Sequence, residues 1–129
     1  MIWIPLLLGC LTVGDAVPRD EFAETFAPLF CARDKECARG VYETLYYSRS
    51  DCIASWEADL RVQLEVLDDR DCGYDEEEAA AAFDAIKEMS CEDYYEGDEL
   101  ASLSGDIFPG CSDSTTTSYY SYYYTYYDY

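Results

Sequence analysis

The chain has 129 residues, with 28 acidic side chains, 8 basic ones and no histidine, for a formal charge of −20. That length allows one domain and a tail, and the charge repels nucleic acid and anionic lipid headgroups at range. With no histidine, the commonest general base at neutral pH, no Ser-His-Asp or Cys-His site can be assembled.

The first element is the apolar run Ile2 to Leu8. It is too short for a membrane-spanning helix, which takes about 20 residues, but long enough for a signal-peptide h-region. It leads directly into Leu7-Leu8-Gly9-Cys10. These four residues resemble a bacterial lipobox, in which a diacylglyceryl group is attached to the cysteine thiol and cleavage leaves that cysteine first. The resemblance implies a signal peptide over 1–9, lipidation at Cys10 and a lipidated tether over 10–18. Leu11 stands where an aspartate would signal retention at the inner membrane. The expected address is therefore the outer membrane, facing periplasm or exterior.

The cysteines are Cys10, Cys31, Cys37, Cys52, Cys72, Cys91 and Cys111. Setting Cys10 aside for lipid leaves an even number, suited to three disulfides. Small exported domains with limited core area often need such staples. There is no Cys-x-x-Cys pair and no histidine, so neither a zinc site nor a thioredoxin-type redox motif is present.

From about Arg19 a helix is predicted, with Phe22, Phe26, Leu29 and Phe30 on one face. Pro28 lies inside it and should kink or divide it. Gly40 is expected to break the chain, and Val41 to Tyr47 reads as a short helix or an irregular aromatic segment. The clearest helix is Asp51 to about Asp69, where Ile53, Trp56, Leu60, Leu64 and Leu67 form one apolar stripe. Ser50 is its expected N-cap. Asp71-Cys72-Gly73-Tyr74 is a turn, and Asp75 caps the next helix, with Glu78 approximating a capping box. Glu76, Glu77 and Glu78 sit at the positive end of that helix dipole, and Phe83, Ile86 and Met89 form its buried side. Beyond Cys91 the chain is acidic and turn-rich, with one short helical turn expected around Leu100, Leu103, Ile107 and Phe108. The fold class is all-α: a small three- to four-helix, disulfide-stapled bundle over 19–111.

Helix length constrains the pairing of the cysteines. Cys52 and Cys72 flank a helix of about 18 residues and stand roughly 25 Å apart, whereas a disulfide needs Cα atoms within about 7 Å. Cys72 and Cys91 flank the next helix in the same way. In an antiparallel hairpin, Cys52 and Cys91 share one end and Cys72 lies at the other. The favoured pairs are Cys37–Cys52, Cys31–Cys91 and Cys72–Cys111, with an exchange of partners between Cys31 and Cys37 left open.

The whole pattern resembles the small acidic, cysteine-rich helical lipoproteins of myxobacteria and their relatives. The residues that carry it are the lipobox, Phe30-Cys31 with Cys37, Ser50-Asp51-Cys52, Cys72-Gly73-Tyr74-Asp75 and Ser90-Cys91-Glu92-Asp93, over roughly residues 7 to 111. That group supplies no activity to carry over.

Motifs for other chemistry are missing. An EF-hand loop started at Asp68 places Gly73 at position 6 but Arg70 at 3, Cys72 at 5 and Ala79 at 12. The cluster Glu92, Asp93, Glu96, Asp98 and Glu99 also lacks the pattern, and no Gly-rich phosphate loop occurs. Helix caps and solvated faces account for these acids, and no cofactor or metal is expected. Tyr42, Tyr46 and Tyr47 read as the edge of the core, burying their rings while keeping hydroxyls near water.

Residues 112–129 form a low-complexity tail: a Ser/Thr spacer, then Tyr119, Tyr120, Tyr122, Tyr123, Tyr124, Tyr126, Tyr127 and Tyr129. No steady alternation specifies a sheet face, so the tail is expected to be disordered. Its β propensity and low charge allow stacking between chains. The functional expectation is a membrane-anchored exported lipoprotein of structural or protein-interaction type, not an enzyme. Its partners are a bilayer, reached through the lipid, and an unidentified protein, with self-association through the tail and no nucleic acid. The alternative is a surface adhesin or matrix component driven by the tyrosine tail.

Overall fold

The computed structural model describes residues 11–111. The expectations for Cys10, the signal segment and the tyrosine tail lie outside the described residues. After a 3₁₀ turn at Arg19–Glu21 come α1 (Phe22–Cys37), α2 (Arg39–Leu45), α3 (Arg49–Asp69), α4 (Glu76–Glu88), α5 (Cys91–Glu96) and α6 (Asp98–Ile107). The fold is all-α, with six helices among the described residues where three or four were expected.

Helix α1 is the central strut. It packs against α2, α3, α4 and α5, while α6 lies against α4 and α5. The reason lies in its aromatic stripe, since Phe22, Phe26, Leu29 and Phe30 are all buried. Phe22 and Phe26 stack at 4.5 Å, and Phe30 stacks on Trp56 of α3 at 4.7 Å. Phe26 meets Phe83 of α4 edge-on at 5.5 Å, and Phe22 meets Phe108, just after α6, at the same distance. Each buried ring is worth roughly 1.5–3 kcal/mol from area alone. Together these contacts outweigh the cost of about 3 kcal/mol for a proline within a helix. Pro28 therefore does not divide α1, which runs unbroken to Cys37.

Other boundaries shift for local reasons. The break after α1 falls at Ala38 (φ −138°, ψ 49°), and Gly40 lies inside α2. The N-cap of α3 is Ser48, not Ser50: its side chain accepts from the Asp51 N–H at 3.2 Å. Asp75 does cap α4, accepting from the N–H groups of Glu77 and Glu78 at 3.0 Å each. Its own N–H donates to the Ile107 carbonyl at 2.8 Å rather than to Glu78. The turn-rich stretch after Cys91 is two helices. Ser90 caps α5 by accepting from the Asp93 N–H at 3.1 Å, and Gly97, at φ 79°, takes the left-handed conformation that separates α5 from α6.

The segment from Leu11 to Pro18, expected as a tether outside the domain, is bound to it. It runs antiparallel to α4. Lys87, in the last turn of α4, donates to the Leu11 carbonyl at 2.7 Å. At the other end of α4, the Val17 N–H donates to the Glu76 carbonyl at 3.0 Å. Tyr74 donates to the Val17 carbonyl at 2.6 Å, and Val17 is buried. Residues 11–18 are thus part of the folded unit, ahead of Arg19.

Three disulfides close the bundle: Cys31–Cys52, Cys37–Cys91 and Cys72–Cys111, with Cα separations of 6.0, 5.3 and 5.2 Å. The favoured partners of Cys31 and Cys37 are exchanged. Because α1 is undivided and lies along α3, Cys31 faces the first turns of α3, where Cys52 sits. Cys37, about two turns further on, reaches the start of α5. The link that was expected to bring Cys37 to Cys52 is instead occupied by α2. Cys52 and Cys91 do share one end of the bundle, with Cys72 at the other. There Gly73 approaches Pro109 closely: a Cβ at that position would stand 3.1 Å from Pro109 Cγ, a tight contact that the neighbour would have to relieve.

Candidate functional site

The strongest concentration of polar side chains is buried. Arg33 and Asp34 follow Phe30 by three and four residues in α1, so both turn toward the core, and each is only 3% exposed. Asp34 accepts from Trp56 Nε1 of α3 at 2.9 Å and from the Tyr94 hydroxyl of α5 at 2.8 Å. Arg33 Nη1 pairs with Glu36 at 2.8 Å, and Nη2 donates to the Met89 carbonyl at the end of α4. The guanidinium carbon stands 5.6 Å from the centre of the Tyr94 ring. Arg33 Nε has no hydrogen-bond partner among the described residues. The cluster therefore ties α1 to α3, α4 and α5.

A small apolar cleft opens between α3 and α6. Phe22, Phe26 and Phe30 form its floor, and Leu60, Leu64, Leu103 and Ile107 line its sides. Its cavity volume of about 20 Å³ holds a single water at most, so it is a packing gap rather than a ligand chamber. Among the described residues, no group of three or more His, Cys, Asp or Glu is placed to hold a metal. No helix there is long and apolar enough to cross a membrane.

The six cysteines expected in disulfides, Cys31, Cys37, Cys52, Cys72, Cys91 and Cys111, are all paired. Tyr42 is buried and its ring lies 5.6 Å from that of Tyr46, as an edge of the core requires. Tyr47 differs from expectation: it is fully exposed, at 102%, in the short link between α2 and α3. Cys10 and the tail tyrosines from Tyr119 to Tyr129 lie outside the described residues. Sequence reading missed the Arg33–Asp34 cluster. The signal was present, because two charged residues continue the spacing of Phe26 and Phe30 onto the core side of α1.

Two tyrosines hold their protons more tightly than usual. Tyr74 is raised well above its ordinary value, chiefly by burial, with Glu76, Asp20 and Asp75 adding to the effect and Arg19 opposing it. Tyr95, which donates to the Cys37 carbonyl, is raised by burial and by Asp34.

No family model, curated protein or solved structure matches the chain.

Replacing Asp34 with alanine removes two buried hydrogen bonds to a carboxyl group, each worth about 1.5 kcal/mol or more. The expected loss is about 3 kcal/mol in a denaturant titration, and a loss below about 1 kcal/mol would show that the cluster does not hold the helices together. A second outcome concerns alkaline pH. A phenol whose folded pKa exceeds its unfolded value of about 10 stabilises the fold fully below that pH and loses the contribution as pH rises toward the folded value. Denaturation midpoints measured across pH 9 to 12 should therefore fall more steeply for the native chain than for Tyr74→Phe. Parallel curves would contradict the shift.

Proposed function

We propose that the chain is an exported lipoprotein, held on a membrane by lipid on Cys10, whose folded domain acts in structure or protein interaction rather than catalysis. The observation that carries this reading is the use of cysteine. Six of the seven pair within 31–111, and Cys10, in the lipobox-like Leu7-Leu8-Gly9-Cys10, is the one outside those pairs. Three disulfides in a small domain suit an oxidising compartment. A lipoprotein cysteine carries several acyl chains, and stable anchoring takes more than one. Leu11 after Cys10 favours the outer membrane, with the domain facing periplasm or exterior.

The domain's surface fits a protein partner better than a nucleic acid, given the charge of −20. A second reading, a tail-driven adhesin or matrix component, is favoured by one observation: eight tyrosines between Ser118 and Tyr129. Tyrosine is a preferred contact residue because it is amphipathic and has few rotors to freeze.

The anchor is tested by the intact mass of natively produced protein, alkylated with and without reduction. The expected result is loss of residues 1–9, added lipid mass, and six thiols that appear only after reduction. An uncleaved chain with seven free thiols would place the protein in a reducing compartment and end the proposal. For the second reading, removal of Tyr119–Tyr129 should abolish concentration-dependent association while leaving helical circular dichroism unchanged. Association that survives the deletion would rule it out.

A further inference from the structure

The chain enters and leaves the domain at opposite ends. Leu11 is held beside Lys87, in the last turn of α4. That end of the bundle also carries the Cys37–Cys91 bridge and the start of α3, where Cys52 pairs with Cys31. Cys111 is bonded to Cys72 at the other end. There the Gly73 N–H donates to the Pro109 carbonyl and the Asp75 N–H to the Ile107 carbonyl, at 2.9 and 2.8 Å. Asp75 is the N-cap of α4. Glu76 and Lys87 lie about 16 Å apart along the helix axis, so the two exits stand on the order of 20 Å apart.

The entry also has little slack. The Leu11 carbonyl is tied to Lys87, and the Leu11 side chain packs against the core. Leu11 is thus fixed at this end, and consecutive Cα atoms are about 3.8 Å apart, so whatever the chain carries just before Leu11 joins the domain here.

We propose that the domain stands upright on the membrane: the Leu11 end faces the bilayer, and the Cys72–Cys111 end carries the tyrosine tail away from it, toward partners in the surrounding medium. This rests on the reading of Cys10 as the lipid-bearing residue.

Surface charge favours the same orientation. The end that bears the tail holds Asp68, Asp69, Asp71 and the run Asp75 to Glu78. At the entry end, Glu36, Glu43, Asp51, Glu88, Glu92 and Asp93 are interspersed with Lys35, Arg39, Arg49 and Lys87, whereas Arg19 and Arg70 are the basic residues beside the acidic run at the other end. With a screening length of about 8 Å at physiological salt, only the near end feels an anionic bilayer. The acidic end is therefore the costlier one to bring down. Tyr47, fully exposed between α2 and α3, belongs to the entry end, and tyrosine is at home at headgroup level.

The test uses full-length lipidated protein on phosphatidylethanolamine–phosphatidylglycerol vesicles that contain an acceptor dye lipid. A donor dye is attached through azidophenylalanine, either at Tyr47 or at Glu77, which is exposed in the first turn of α4. The protein should float with the vesicles, and the donor at position 47 should lose more of its emission to the bilayer than the donor at 77. Protein that fails to float overturns the anchor reading, and the orientation with it. Protein that floats but shows equal or reversed quenching overturns the orientation alone.

Discussion

The fold depends on the hydrogen bonds that converge on Asp34. One carboxyl group in the last turn of α1 receives the indole of Trp56 from α3 and the hydroxyl of Tyr94 from α5. The adjacent Arg33 reaches the end of α4 through the Met89 carbonyl. Aromatic packing is non-directional and tolerates sliding of one helix over another. A buried polar group does not, because leaving it without a partner costs about 1–3 kcal/mol. The rings of Phe26, Phe30 and Phe83 thus contribute non-directional burial, while the Asp34 cluster fixes the register in which the helices meet.

That register explains the disulfide pattern. With Trp56 brought to Asp34, the first turns of α3 lie beside the middle of α1, and Cys52 falls opposite Cys31. With Tyr94 brought to the same carboxyl, the start of α5 comes to the end of α1, and Cys91 falls opposite Cys37. The crosslinks span 21, 54 and 39 residues in sequence. In the chain-entropy account, loops of such lengths stabilise a fold by roughly 3–4.5 kcal/mol each. For a domain of this size that matches the whole net stability of many proteins, about 5–15 kcal/mol. The polar cluster selects the pairing, and the bridges then make it permanent.

The sequence displayed the helical class, the α3 stripe and the Asp75 cap because each is a local pattern carried by spacing or by one side chain. It did not display the continuity of α1. Pro28 signals a break, and what overrides it is contact with Trp56, Phe83 and Phe108, all more than 25 residues away in sequence. The exchange of Cys31 and Cys37 has another cause: a short connection was expected to bring Cys37 to Cys52, and the helix α2 occupies that link. The α5 helix was legible in principle: Ser90-Cys91-Glu92-Asp93 places a capping serine three residues before an acid. Acidic composition concealed it. The docking of Leu11 to Pro18 on α4 was not legible, because it rests on backbone carbonyls that carry no sequence signature.

A charge of −20 works against any compact state by self-repulsion. Local ion pairs such as Arg19–Asp68 and Arg61–Glu57, both at 2.6 Å, are partly exposed and worth at most about 1 kcal/mol each. They cannot offset that repulsion. The aromatic core does so from within, and the crosslinks do so by limiting how far the unfolded chain can expand. An acidic surface is affordable in a molecule built this way because the groups that hold it together, rings, a buried carboxyl and sulfur bridges, lie largely out of reach of the charge. The surface is then free to be set by where the protein works, including which end it turns toward a bilayer.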